Sequence, residues 1–160
     1  MEQTTMIADP ISETRPFRET DPQTVLQSML RLPNEGRLAE VVTQLDDGFK
    51  FMDLALDLEF TEKARLTEFL EKSRELYPDA VLKVVSIYQS GNYAVAEWKV
   101  TAVDVQPYFG SMSLRVPITY PGVSIVRIQD GKVSDWSDYY DQIRSRRYKL
   151  AAHFTEWVEL

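Results

Sequence analysis

The chain has 160 residues, 44% of them hydrophobic and 27% charged, the size and composition of one globular domain rather than of a disordered segment. Asp plus Glu number 25 against 18 Lys plus Arg, a net charge of −7, and an acidic chain offers no broad positive field to attract nucleic acid or anionic lipid. Cys is absent, His occurs once, and no run of 18 apolar residues exists, which excludes disulfides, thiol catalysis, Cys-ligated or multi-His metal sites and a membrane-spanning helix.

Residues 1–20 are polar and carry Pro10 and Pro16 without an apolar period; they read as an arm, which Phe17 could pin to the body. They lack a basic stretch followed by an apolar one, so a secretory signal is not expected and a cytoplasmic location is. Asp21 and Pro22 then make a cap and a first helical residue, and Val25, Leu26, Met29 and Leu30 recur at helical spacing up to Pro33. Asn34 reads as the cap of a second helix with Leu38, Val41, Val42 and Leu45 on one face, ended by Asp46-Asp47-Gly48. A short strand, Phe49 to Leu54, follows. A third helix from about Thr61 carries Ala64, Leu66, Phe69, Leu70 and Leu76 and stops at Pro78.

Beyond Pro78 the period becomes two. Leu82, Val84, Ser86 and Tyr88 alternate with Lys83, Val85 and Ile87, and Ser90-Gly91-Asn92 reads as a hairpin turn. From Tyr93 to Val103, Ala96, Trp98, Val100 and Ala102 share a face. After the loop with Gly110, Ser111 to Tyr120 reads as a strand in which Pro117 marks an edge, a bulge or a break. Val123 to Ile128 is a further strand, joined through the turn Asp130-Gly131 to Val133–Tyr140. A last amphipathic helix is expected from Gln142, with Ile143, Leu150, Ala151, Phe154, Trp157 and Val158 on one face. Helices segregated from an antiparallel sheet define the α+β class, and a strongly curved sheet covered by helices leaves a pocket between the layers.

The order of elements, with GVSIVRIQDGKVSDWSDYYD at 122–141, resembles the nuclear transport factor 2-like cone fold, and within it the SnoaL-like polyketide cyclases and limonene epoxide hydrolases. The resemblance covers roughly residues 21–141. It implies a cone domain there, flanked by the arm at 1–20 and by a helix at 142–160 that packs on the domain or on a partner; it also implies a homodimer. The fold hosts isomerases, cyclases, hydrolases, dehydratases and binding proteins, so activity has to be read from the pocket. The epoxide hydrolases use an Asp–Arg–Asp triad. Asp138 matches its second Asp, but Trp98 and Val100 stand where the Arg-x-Asp pair belongs, so that water-activating network cannot form. In the cyclases a strand Asp is the general acid/base, and Asp138 matches it in type and place. The assisting His has no counterpart, because His153 lies near the C-terminus. Ketosteroid isomerases of the same superfamily place an Asp general base near the position of Asp53.

If Trp136 points into the cone, Asp138 and Tyr140 do too, because strand side chains alternate. A carboxyl among Trp98, Trp136 and Tyr140 is poorly solvated, which raises its pKa and lets it exchange protons near neutral pH; Asp53 in the same cavity would add like-charge coupling. The candidate catalytic residues are therefore Asp138 and Asp53. The candidate ligand contacts are Trp98, Trp136, Tyr88, Tyr140 and Phe51, aromatic faces suited to a flat hydrophobic molecule, with Tyr88 or Tyr140 polarising a carbonyl. The basic stretch Arg144–Lys149 is too short, on too acidic a chain, for nucleic acid. The expected function is cofactor- and metal-independent proton transfer on a small hydrophobic carbonyl compound: isomerisation, cyclisation or dehydration. The alternative is a non-catalytic binder of such molecules, or an assembly subunit.

Overall fold

Proline at a first helical turn sacrifices no hydrogen bond, and α1 (Pro22–Arg31) starts on one, burying Val25, Leu26, Met29 and Leu30. The computed structural model describes residue 18, residues 20–107 and residues 113–141. Most of the expected arm with Phe17, the loop with Gly110, and the C-terminal segment 142–160 with Arg144–Lys149 and His153 lie outside the described residues. Asp21 holds the N-cap position without capping the helix: its carboxylate accepts from the Arg18 N–H at 2.7 Å.

Pro33 is followed by a 3-10 turn, Leu32–Glu35, closed by Gly36 at φ 72°, and α2 is only Leu38–Thr43. Asn34 does not cap it. The Asn34 amide donates to the Leu82 carbonyl at 2.7 Å and accepts from the Leu82 N–H at 2.9 Å, tying the helical layer to the sheet. Leu45 and Asp46-Asp47-Gly48, expected at the end of this helix, belong instead to β1 (Leu45–Asp53). β1 buries Leu45, Phe49, Phe51 and Asp53. A three-residue strand, β2 (Leu58–Phe60), pairs with it and was not foreseen; it is too short for a period to register. α3 (Lys63–Leu76) turns Leu66 inward, whereas Leu76 is 64% exposed.

The sheet continues as β3 (Val81–Ser90), β4 (Tyr93–Pro107), β5 (Ser113–Gln129) and β6 (Lys132–Tyr140). The six strands form one open, curved sheet in the order β2-β1-β6-β5-β4-β3, with the helices on one face. It is not wholly antiparallel: β1 and β6 run parallel, with Phe51 opposite Trp136 and Asp53 opposite Asp138. The hairpin turn at Asp130-Gly131 has φ 50° and 75°, the left-handed pair that a two-residue turn requires. Pro117 breaks nothing. β5 pairs with β4 from Ser113 to Arg127, but β6 joins it only at Gly122. Pro117 and Pro121 thus lie where, among the described residues, β5 has a strand on one side only, and proline is tolerated at such an edge.

The core joins α1 to the concave side of the sheet through Leu26, Met29, Phe49, Val126 and Val133, each at most 1% exposed. Burying a side chain of this size contributes roughly 1.5–3 kcal/mol. At one end Phe51, Phe60, Phe69 and Trp136 form an aromatic cluster in which Phe51 meets Trp136 edge-on at 4.6 Å.

Candidate active site

Between α3 and the sheet lies a cavity of about 540 Å³, within the size range of small-molecule sites. Its helix wall is made by Phe69, Leu70, Ser73, Arg74, Leu76 and Tyr77, and its sheet wall by Leu82, Val100, Ala102, Ile118, Tyr120 and Tyr140. Most of this lining is apolar. The alternation on β4 that the sequence displays is what turns Val100 and Ala102 inward.

Asp138 and Tyr140 share the concave face of β6 with Trp136, as alternation requires. Asp138 Oδ1 accepts from Ser124 Oγ at 2.5 Å and from Trp136 Nε1 at 2.7 Å. Ser124 Oγ in turn accepts from Trp98 Nε1 at 2.8 Å. Asp138 Oδ2 accepts no hydrogen bond from the described residues. Burial pushes the Asp138 carboxyl up to about 7, and the charge of Asp53 adds to this; the bonds from Ser124 and Trp136 oppose it.

Asp53 is 4% exposed and uses both its oxygens. Oδ1 accepts from the N–H groups of Ala55 at 3.1 Å and Leu56 at 2.9 Å, closing the turn after β1. Oδ2 accepts from the Tyr140 hydroxyl at 2.9 Å. Burial raises its pKa against these three bonds. Desolvation also pushes the phenols up, Tyr120 to about 12 and Tyr140 further, so both are neutral donors at ordinary pH. The Tyr120 hydroxyl has no hydrogen-bond partner among the described residues.

Neither carboxylate lines the cavity; Tyr140 does, and it connects the cavity wall to Asp53. Phe51, Trp98 and Trp136 do not line it either. They are 1%, 4% and 5% exposed, and the two indoles spend their N–H groups on the Ser124–Asp138 pair. Trp98 edges a shallower groove with Glu97, Pro121 and Tyr139. Tyr88 stands apart from the cavity, 65% exposed. The register of β3 against β4 slips between Val84 and Ser86; one extra residue there reverses the faces beyond it, so Ile87 turns to the core and Tyr88 out.

Sequence reasoning missed Ser124, Tyr120, Gly122 and Arg74. For Ser124 a signal existed: it is the polar member of the set Gly122, Ser124, Val126, Ile128 at period two. Gly122 has a steric reason, since a β-carbon there would collide with the Trp98 ring.

Residues 26–136 match the sequence profile of the SnoaL-like domain. The chain belongs to the SnoaL-like domain family. The solved structures agree in fold. One is a protein from Shewanella putrefaciens proposed to be a SnoaL-like polyketide cyclase: 14% identity, 91% of this chain and 97% of that one covered, TM-score 0.68. AclR from Streptomyces galilaeus, proposed to be a hydroxylase, has 19% identity, 79% and 83% coverage and a TM-score of 0.67. A protein with a ketosteroid isomerase-like fold from Catenulispora acidiphila, solved in complex with trimethylamine, has 11% identity, 76% and 88% coverage and a TM-score of 0.63. No curated protein matches in sequence.

Among the described residues of this SnoaL-like chain, no three His, Cys, Asp or Glu side chains are grouped to hold a metal, and no helix is long and apolar enough to cross a membrane. The titratable groups in and behind the cavity wall include a carboxyl raised to about 7, a second raised carboxyl and two neutral phenols. A carboxyl that titrates near 7 is present both as acid and as base at neutral pH, the condition for general acid–base catalysis.

Proposed function

We propose that this SnoaL-like protein is a cofactor-independent enzyme that moves a proton within a hydrophobic, carbonyl-bearing small molecule. The observation that carries the proposal is Asp138: a carboxyl pushed up to about 7, anchored through Oδ1, with Oδ2 accepting no hydrogen bond from the described residues. Asp138 lies behind the cavity wall, beside Tyr140 on β6, so the reaction requires the Tyr140 ring to turn aside; in its charged form Asp138 then takes a proton from the carbon next to the carbonyl. The C–H electron pair becomes the C=C bond of an enolate and the carbonyl π pair moves to the oxygen, which accepts a hydrogen bond from Tyr120; the Tyr140 proton is already given to Asp53. The protonated Asp138 then returns the proton to the far carbon of a conjugated dienolate, which is an isomerisation, or the enolate attacks a second carbonyl, whose oxygen takes the proton from Asp138, which is a cyclisation. Asp53 accepts the Tyr140 proton and so fixes that ring in the cavity wall.

The test is exchange of the α-hydrogens of 2-tetralone, an aromatic ketone, in deuterated water, followed by proton NMR. The protein should accelerate exchange, and Asp138→Asn should lose about 100-fold or more, the range of a general base. Full exchange by Asp138→Asn would remove the mechanism.

A second reading has its own support. The cavity lining is mostly apolar, and Asp53 has every oxygen occupied, which suits a carrier or binding module. Tight binding of aromatic ketones without any exchange, by the wild-type protein, selects this reading. The homodimer implied by the family resemblance is compatible with both and is read from the mass in solution.

A further inference from the structure

The cavity wall carries charge of one sign. Lys72 and Arg74 line it, and among the described residues no Asp or Glu does, although acids outnumber bases 25 to 18 in the chain. Lys72 is matched by Glu75 at 2.8 Å. Arg74 has no carboxylate partner among the described residues. Its Nη1 reaches the Pro33 carbonyl at 3.5 Å, at the far limit of a hydrogen bond, and the side chain is partly buried. The surroundings are apolar: Phe69 and Leu70 on the helix side, Val100 and Ile118 on the sheet side.

A guanidinium beside an apolar hollow presents a planar fork that fits a carboxylate through two parallel N–H bonds. Reduced solvent screening in such a hollow strengthens the pairing relative to an exposed site. One unmatched positive charge in the wall balances one negative charge, which favours a monoanion over a phosphate dianion. The Tyr120 hydroxyl on the sheet wall, without a partner among the described residues, supplies a donor for an uncharged oxygen of the same ligand.

We propose that the cavity selects hydrophobic monocarboxylic acids, holding the carboxylate on Arg74 and the apolar body between α3 and the sheet. With the proposed function this names the substrate class as a hydrophobic oxo acid. It rests on that reading for the cavity as the ligand site, but not for Asp138 as the base.

The experiment compares binding of 2-naphthoic acid and of its neutral methyl ester by isothermal titration at pH 7.5, on the full chain. The acid should bind at least tenfold more tightly than the ester. Arg74→Gln should abolish that preference by weakening the acid alone, and Arg74→Lys, which keeps the charge and loses the fork, should retain part of it. Asp138→Asn should leave the preference intact, so loss of proton exchange and loss of acid selection are separable failures. Equal binding of acid and ester by the wild type, no binding of either, or an undiminished preference in Arg74→Gln overturns the proposal. Matching melting curves for the Arg74 variants establish that folding is not the cause.

Discussion

The indole of Trp98 lies across Gly122, in the space that any side chain at position 122 would occupy. Trp98 and Gly122 are register partners on β4 and β5, and from this position the indole N–H reaches Ser124. Gly122→Ala should therefore displace the ring and break the Trp98–Ser124 bond. A loss of about 1–3 kcal/mol is expected from overpacking, with a shifted tryptophan emission. Urea unfolding monitored by fluorescence checks both.

Asp138 should cost the fold stability at neutral pH. Its folded pKa is about 7 against an ordinary value of 3.8, so between about pH 4 and 7 the folded chain keeps a proton that the unfolded chain has released. Stability then falls as pH rises through that window and is level above it. Asp138→Asn removes the charge, and its amide oxygen can still accept from Ser124 and Trp136. It should be more stable than wild type by on the order of 1–3 kcal/mol at pH 8, less than the roughly 4 kcal/mol that three pKa units represent, because the residue keeps some solvent access. The gain should vanish near pH 4. Melting curves at both pH values decide it.

Ser124 has two duties, accepting from Trp98 and donating to Asp138. Ser124→Ala strands a buried indole N–H, a cost of about 1–3 kcal/mol. It also removes a bond that lowers the Asp138 pKa, so that carboxyl should titrate higher. The destabilisation should be larger at pH 8, where Asp138 is charged, than at pH 5. Carbon-13 NMR titration of the Asp138 carboxyl reads the shift directly.

Asn34 joins the helical layer to β3 through both polar ends of its amide. Asn34→Ala should cost about 0.5–1.5 kcal/mol per bond lost, at the lower end here because the site is exposed. Amide exchange at Leu82 should accelerate more than exchange in β4, which would localise the loss to this contact.

The three-helix start, the hairpins at Gly91 and at Asp130-Gly131, and the shared face of Ala96, Trp98, Val100 and Ala102 were all legible in the sequence. So were the common face of Trp136, Asp138 and Tyr140 and the family resemblance. These follow from steric rules that act within a few residues: capping, turn conformations, and the two-residue period of a strand. The tertiary structure alone decided which strands are neighbours. Parallel pairing of β1 with β6 brings Asp53 beside Asp138 across 85 positions of chain, the bulge in β3 expels Tyr88, and the fold-back of β5 sets Ser124 under Trp98. Arg74 enters a cavity wall only because α3 crosses the sheet. Such placements depend on contacts between distant segments, which the local pattern of residues does not encode.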